Sequence, residues 1–147
     1  MILAVKSDAS YLSVVRARSC EAGYFYLTNA HPKPTDPFKP NGAVHILCHI
    51  MCKVLPSAAE AEVGALFHNG KDACPLRIAL DKMWHTQPAT PMATDNRTAS
   101  GIATDIVKQK RSKAIDMRLY WMRDRVCEGQ FQIYWSTGQT NPGRLFF

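Results

Sequence analysis

Three acidic residues lie far apart in the chain, each near a point where a predicted strand or helix begins or ends. Asp8 follows an apolar run, Glu62 lies in the first turns of a predicted helix, and Asp95 follows a predicted short strand. In mixed α/β sheets, strand ends and adjoining helix starts form the crevice where ligands bind. Converging carboxylates repel one another unless a cation lies among them, and their hard oxygens suit Mg²⁺ or Mn²⁺. We therefore predict a metal site at these acids, although each one alone is also compatible with a loop or cap residue.

Helix geometry separates Glu62 from its neighbour Glu60. Ser57 and Glu60 have the spacing of a capping box, in which the side chains at the two positions satisfy helix-start amides. Residues two apart on a helix point about 200° away from each other. Glu60 is therefore assigned to the cap and Glu62 to the metal.

The apolar periodicity and the turn residues predict an α/β chain in the order β-β-β-α-β-α-α-β, forming one domain over residues 1–147. The first three strands are expected to be antiparallel, with a long proline-rich loop between the second and third. Gly64, Gly70 and Pro75 predict a main helix in two segments. The predicted strands are 2–5, which ends at Ser7 and Asp8, then 23–27, 43–54, 90–94 and 131–135, and the predicted helices are 58–82, 97–107 and 112–128.

Composition excludes several classes of protein. The chain has 147 residues, of which 46% are hydrophobic and 20% charged, values that suit one globular domain rather than a disordered or coiled-coil chain. No apolar run approaches the ~20 residues of a membrane helix. The N-terminus lacks the pattern of a secretory signal, and five cysteines are an odd number for a disulfide framework. We therefore expect an intracellular protein, in the cytoplasm or nucleus, with no membrane partner.

Positive charge is concentrated in one segment. Residues 108–125 hold seven basic and two acidic residues, and so carry five of the six net positive charges. This segment is compatible either with a solvated helix face or with a surface that follows the phosphates of a nucleic acid.

Six short motifs together carry a family resemblance over essentially the whole chain. In order and spacing they resemble the ribonuclease H domain that ends the polyprotein of copia-type retrotransposons. The motifs are Ser7-Asp8-Ala9-Ser10, Ser57-Ala-Ala-Glu60-Ala-Glu62, Thr94-Asp95-Asn96, Arg111-Ser-Lys-Ala-Ile-Asp-Met-Arg118, Arg123-Asp-Arg-Val-Cys-Glu-Gly129 and Tyr134-Trp135.

The resemblance implies a mixed five-stranded sheet flanked by helices, and two-metal cleavage of the RNA strand of an RNA–DNA hybrid. It places the catalytic acids on Asp8, Glu62 and Asp95, with Asp8 bridging two Mg²⁺ or Mn²⁺ ions and the other two acids each holding one. It also implies that the hybrid is bound by side chains beside the acids and in the basic segment, and that the reverse-transcriptase part of the same polyprotein is a partner. The expected binding residues are Ser10, Asn96, Lys108, Lys110, Arg111 and Lys113.

Two departures from the family pattern suggest a second hypothesis. Arg144 stands where the family has a fourth metal-binding Asp, in a final helix that we expect to be truncated, and Ala114 stands where a His is common. A cation beside a divalent-metal site weakens it by repulsion. The alternative is therefore a catalytically inactive remnant that still binds nucleic acid.

A third hypothesis places zinc on the segment around Cys48. His45, Cys48, His49 and Cys52 would share one face of a helix, whereas a strand would separate the cysteines from the histidines. The simpler interpretation makes the two cysteines small buried hydrophobic residues. His68 is compatible with a proton shuttle or with an ordinary surface residue.

Overall fold

The computed structural model describes residues 1–33, 42–104 and 116–137. These residues form five strands and three helices in the predicted order. The strands are β1 (Ile2–Val14), β2 (Arg18–Thr28), β3 (Ala43–Ile50), β4 (Thr90–Thr94) and β5 (Phe131–Trp135), and the helices are α1 (Ala58–Lys82), α2 (Arg97–Ala103) and α3 (Asp116–Cys127). None of the helices in these ranges is long and apolar enough to cross a membrane.

All five strands join one mixed sheet in the order β3-β2-β1-β4-β5. The pairs β1–β2 and β2–β3 are antiparallel, and the pairs β1–β4 and β4–β5 are parallel. This arrangement confirms the predicted α/β class and the antiparallel first three strands.

The main core lies between the sheet and the helices. Alternate residues of β1 and β2, including Leu3, Val5 and Phe25, face Leu66 and Ala73 of α1, as expected where one face of each strand is buried. Leu47 of β3, Met92 of β4, Phe131 and Ile133 of β5 and Met122 of α3 complete this cluster.

Several element boundaries differ from the prediction. β2 spans Arg18–Thr28 instead of 23–27, and β3 ends at Ile50 instead of residue 54. The first strand runs on to Val14 instead of ending at Asp8, because its antiparallel pairing with β2 continues through Ser10 and Cys20. The second helix begins at Arg97 as predicted but ends at Ala103, where Thr104 caps it.

The main helix is continuous through Pro75 rather than broken into two segments. A proline inside a helix removes one backbone hydrogen bond and crowds the preceding turn. Pro75 and Lys71, whose carbonyl loses that bond, are both exposed, so water can replace the missing donor. Ala73 and Leu80, on either side of Pro75, are buried and hold the two halves in line against the core.

Candidate active site

Three carboxylates from three elements meet at one end of the sheet. Asp8 belongs to β1, Glu62 to the second turn of α1, and Asp95 directly follows β4. One oxygen of each residue lies within 4.8 Å of the corresponding oxygens of the other two. Asp8 and Glu62 are buried, each with a relative exposure of 4%, and Asp95 is half-buried.

The parallel pairing of β1 and β4 explains why Asp8 and Asp95 are neighbours. The last paired residues are Lys6 and Ala93, and each aspartate lies two residues beyond its member of that pair. Because the strands are parallel, residues at the same distance beyond a paired position lie next to each other, so the two carboxylates are neighbours. Asp8 itself remains paired with Ala22 of β2, and the site therefore forms where the β1–β4 pairing ends rather than where β1 ends.

Two hydrogen bonds hold the Glu62 carboxylate in place. The backbone N–H of Ala9 donates to Oε1 at 2.9 Å, and the Thr94 hydroxyl donates to Oε2 at 3.1 Å. Each oxygen of Glu62 is thus tied to one of the two strands that carry the aspartates. Thr94 belongs to the motif Thr94-Asp95-Asn96, but the sequence predicts no role for its side chain at the site.

Burial raises the pKa of Glu62 to about 8, and the nearby charges of Asp95 and Asp8 contribute to the rise. The hydrogen bonds from Ala9 and Thr94 act in the opposite direction because they favour the ionised form. A divalent cation among the three groups would remove the mutual repulsion, and oxygen-only ligands are the set that Mg²⁺ and Mn²⁺ prefer. The residues therefore fit a divalent metal site.

Contacts with Trp135 of β5 hold the segment that follows β4 in place. The Trp135 indole N–H donates to the Asp95 carbonyl at 3.0 Å, and the Arg97 guanidinium lies 4.2 Å from the centre of the Trp135 ring. The Asn96 side-chain oxygen accepts from the Ala99 N–H and caps α2. These contacts hold the backbone of Asp95 in a defined position.

The predicted nucleic-acid contacts are only partly within the described residues. Ser10 lies two residues after Asp8 on β1 and is half-buried, and Asn96 is half-buried at the start of α2. The Asn96 side-chain oxygen is the group that caps α2. Outside the described residues lie the predicted phosphate contacts Lys108, Lys110, Arg111 and Lys113, and also Ala114, Arg144 and the expected final helix.

The hypothesis of a zinc site on cysteines is wrong for this structure. Cys48 and Cys52 are exposed rather than buried, and neither belongs to a group of possible metal ligands among the described residues. The segment forms a strand, so Cys48 alternates with its neighbours Leu47 and His49, which face α1.

Solved structures resemble this chain closely in fold and distantly in sequence. LC11-RNase H1, isolated from compost by a metagenomic approach and solved in complex with an RNA/DNA hybrid, is 9% identical, with a TM-score of 0.69 over 98% of this chain and 92% of that chain. The N-terminal RNase H domain of a Mycobacterium tuberculosis protein, solved as a fusion with maltose-binding protein, is 12% identical, with a TM-score of 0.62 over 95% of this chain and 84% of that one.

An RNase H1 from the halophilic archaeon Halobacterium salinarum is 14% identical, with a TM-score of 0.57 over 95% of this chain and 89% of that chain. No family model matches the sequence, and no curated protein matches it. Strand order, helix placement and these structural likenesses agree, and the chain therefore has the ribonuclease H-like α/β fold.

Proposed function

We propose that this protein is a divalent-metal-dependent endonuclease that cleaves the RNA strand of RNA–DNA hybrids. The observation that carries the proposal is the meeting of Asp8, Glu62 and Asp95 at one end of a ribonuclease H-like sheet. The likeness to an RNase H1 solved with an RNA/DNA hybrid supports this choice of substrate.

In this proposal the three carboxylates hold Mg²⁺ or Mn²⁺. Such ions, when bound, lower the pKa of water to give a nucleophile and stabilise charge on the leaving oxygen of a phosphodiester. The contribution of the chain is to keep the carboxylates in place before substrate arrives. Ala9 and Thr94 orient Glu62, and Trp135 fixes the backbone of Asp95.

Hybrid binding is assigned mainly to the segment before α3. The three arginines of α3 already have partners in the protein: Arg118 lies over the Phe67 ring, Arg123 donates to the Ile102 carbonyl, and Arg125 pairs with Glu128. The phosphate contacts are therefore assigned to the remaining basic residues, which are Lys108, Lys110, Arg111 and Lys113. Ser10 and Asn96, near the acids, are suited to 2′-hydroxyl groups in the minor groove, the groups that distinguish RNA from DNA.

A second candidate function is hybrid binding without cleavage. Arg144 favours it, because a cation at the position expected for a fourth carboxylate opposes metal binding. In either case we propose an origin in a copia-type retrotransposon, an intracellular location, and a functional association with the reverse-transcriptase part of the same polyprotein. The motif series from Ser7 to Trp135 supports that origin.

Cleavage of a fluorescently labelled RNA–DNA hybrid with Mg²⁺ or Mn²⁺ tests the proposal. We expect wild-type cleavage that requires the metal, and losses of at least about a hundredfold for Asp8→Asn and for Asp95→Asn. Asp124→Asn is the matched control, because Asp124 is an exposed carboxylate on α3, and it should cleave at the wild-type rate. Equal rates for Asp8→Asn and the control would contradict the proposed site.

Binding of the same hybrid without metal separates the two candidates. If the wild-type protein binds the hybrid but cleaves it no faster than Asp8→Asn does, the second candidate, binding without cleavage, is supported. Arg144→Asp should then restore cleavage if Arg144 is the cause. Cleavage by the unmodified wild type excludes the inactive candidate.

A further inference from the structure

A second cluster of ligand-type side chains lies one strand away from the three acids. Glu21 on β2 is completely buried, and its carboxylate contacts two histidines from other elements. His68 Nδ1 of α1 lies 2.5 Å from Oε1 and 2.7 Å from Oε2, and His49 Nε2 of β3 also contacts Oε1. One ligand atom from each residue lies within 4.8 Å of the others.

The sheet register brings these residues together. Glu21 and His49 are directly opposite in the antiparallel β2–β3 pair, and directly opposite side chains lie on the same face of a sheet. That face is covered by α1, which supplies His68. The two imidazole rings lie 5.8 Å apart at an interplanar angle of 27°, and both contact the same carboxylate.

The chemistry of this cluster differs from that of the acidic site. An imidazole nitrogen is a ligand of intermediate softness that suits zinc and related transition metals, whereas Mg²⁺ prefers oxygen. Two histidines and one glutamate are the donor set of zinc sites that keep a fourth position open. Among the described residues, only two groups of three such side chains are close enough to share an ion, and this is the one that contains nitrogen ligands.

An ion also has a route to the cluster. The His49 side chain is 49% exposed, and the two histidines line an open cleft of about 440 Å³ together with Lys71 and Asp72. Zinc bonds of ~2.0–2.1 Å place tetrahedral ligand atoms ~3.3 Å apart. Entry of an ion therefore requires both histidine nitrogens to move away from Glu21, by about 1 Å for the exposed His49 ring and by about 0.7 Å for His68, while the buried Glu21 can stay in place.

We propose that Glu21, His49 and His68 form a transition-metal site of the zinc class, with water as the fourth ligand, that fastens the edge strand β3 to β2 and α1. The proposal is independent of hybrid cleavage, since it uses none of the three acids. A metal that binds only the folded chain stabilises it, so zinc should raise the melting temperature. Edge strands expose unpaired backbone groups, and a metal clamp would keep β3 in register.

Titration of the metal-free protein, residues 1–147, with Zn²⁺, and with Co²⁺ as a spectroscopic probe, tests the site. Wild type is expected to bind one equivalent that raises the melting temperature and gives the visible absorption of tetrahedral cobalt. His49→Ala and His68→Ala should weaken that binding by at least about tenfold, because even the removal of a residue that only supports a metal ligand can cost this much.

His45→Ala is the matched control. His45 lies on the same strand and the same face as His49, but its imidazole bonds Asp72 at 3.1 Å instead of Glu21. All variants keep the cysteines and the three acids of the candidate active site, so any zinc bound by those residues is the same in every variant. Loss of one zinc equivalent in His49→Ala and its retention in His45→Ala would assign the ion to Glu21, His49 and His68.

His49→Gln separates metal binding from a simple hydrogen bond. Glutamine keeps a donor for Glu21 but lacks the imidazole lone pair, so the folded protein should be retained while the zinc-induced rise in melting temperature is lost. The proposal is overturned if wild type binds no zinc, or if His49→Gln and His45→Ala respond to zinc as wild type does. Circular dichroism confirms that each variant is folded before the titration.

Discussion

The Thr94 hydroxyl donates a hydrogen bond to Glu62 Oε2 at 3.1 Å, joining the end of β4 to the buried carboxylate of α1. Thr94 is itself buried, and it directly precedes Asp95. One small side chain therefore positions two of the three acids of the candidate site relative to each other.

Thr94→Val removes the hydroxyl and preserves the shape of the side chain. A hydrogen bond to a charged group contributes about 1.5–3 kcal/mol, so hybrid cleavage is expected to fall by about tenfold or more. Thr94→Ser keeps the donor and should remain within about threefold of wild type. The measurement is the cleavage rate at saturating metal, and equal rates for the valine and serine variants would show that the contact has no role in positioning Glu62.

The raised pKa of Glu62 predicts that the metal-free protein loses stability as pH rises. Between the ordinary value of 4.5 and about 8, the folded state holds a proton on Glu62 that the unfolded state has released. The free energy of unfolding therefore decreases with pH across this window, by on the order of 5 kcal/mol in total. Urea unfolding in EDTA at several pH values measures this slope.

Glu62→Gln is the control for that slope, because glutamine stays neutral and should be less sensitive to pH. Mn²⁺ should offset the loss in wild type at pH 8 more than at pH 5, since metal binding requires the ionised carboxylate. A wild type and a Glu62→Gln variant with the same pH dependence would contradict the assigned pKa.

The basic segment predicts salt-dependent binding of the hybrid. Replacing Lys108 and Lys110 by glutamine should weaken binding and reduce the slope of log K against log salt by about one unit for each lysine that binds a phosphate. Lys82→Gln is the matched control, because Lys82 lies at the opposite end of α1 from Glu62, ~30 Å away along the helix. Fluorescence anisotropy over a range of salt concentrations gives both slopes. Equal slopes for the double variant and the control would remove the segment from the interface.

Two glycines of α1 predict opposite effects of the same substitution. A Cβ at Gly64 would meet Leu55 and Met51 at 3.7 Å, an ordinary contact, whereas at Gly70 it would meet Met122 Sδ at 3.0 Å and Trp121 at 3.2 Å. Alanine is the better helix former by about 0.5–1 kcal/mol, so Gly64→Ala should stabilise the protein. Gly70→Ala should destabilise it by about 1–2 kcal/mol, because α3 must move away. Thermal unfolding of both variants checks the signs.

Local pattern was sufficient for much of the fold. The sequence pattern predicts strands over residues 90–94 and 131–135, and the structure has strands over the same residues. Ser57 marks the start of α1, and its side-chain oxygen accepts a hydrogen bond from the Glu60 N–H as the capping signature predicts. These features depend on residues close together in sequence, so one sequence suffices to predict them.

Boundaries that depend on distant partners were not predicted. β1 extends past Asp8 because β2 offers it continuous antiparallel pairing, and α1 passes through Pro75 because buried residues hold both of its halves against the core. The burial of Glu62, which raises its pKa, also depends on strands from the other parts of the chain. Such effects come from packing and electrostatics between segments that the sequence does not place relative to one another.

The class of fold, the order of its elements and three acids that suit a divalent metal could all be predicted from the sequence. The orientation of Glu62 by Thr94 and Ala9, and the contact of Glu21 with His49 and His68, depend on the tertiary structure. The reason is physical: a residue type and its local period follow from neighbours within a few positions, whereas a site requires sheet register and helix crossing to bring remote side chains within ångströms.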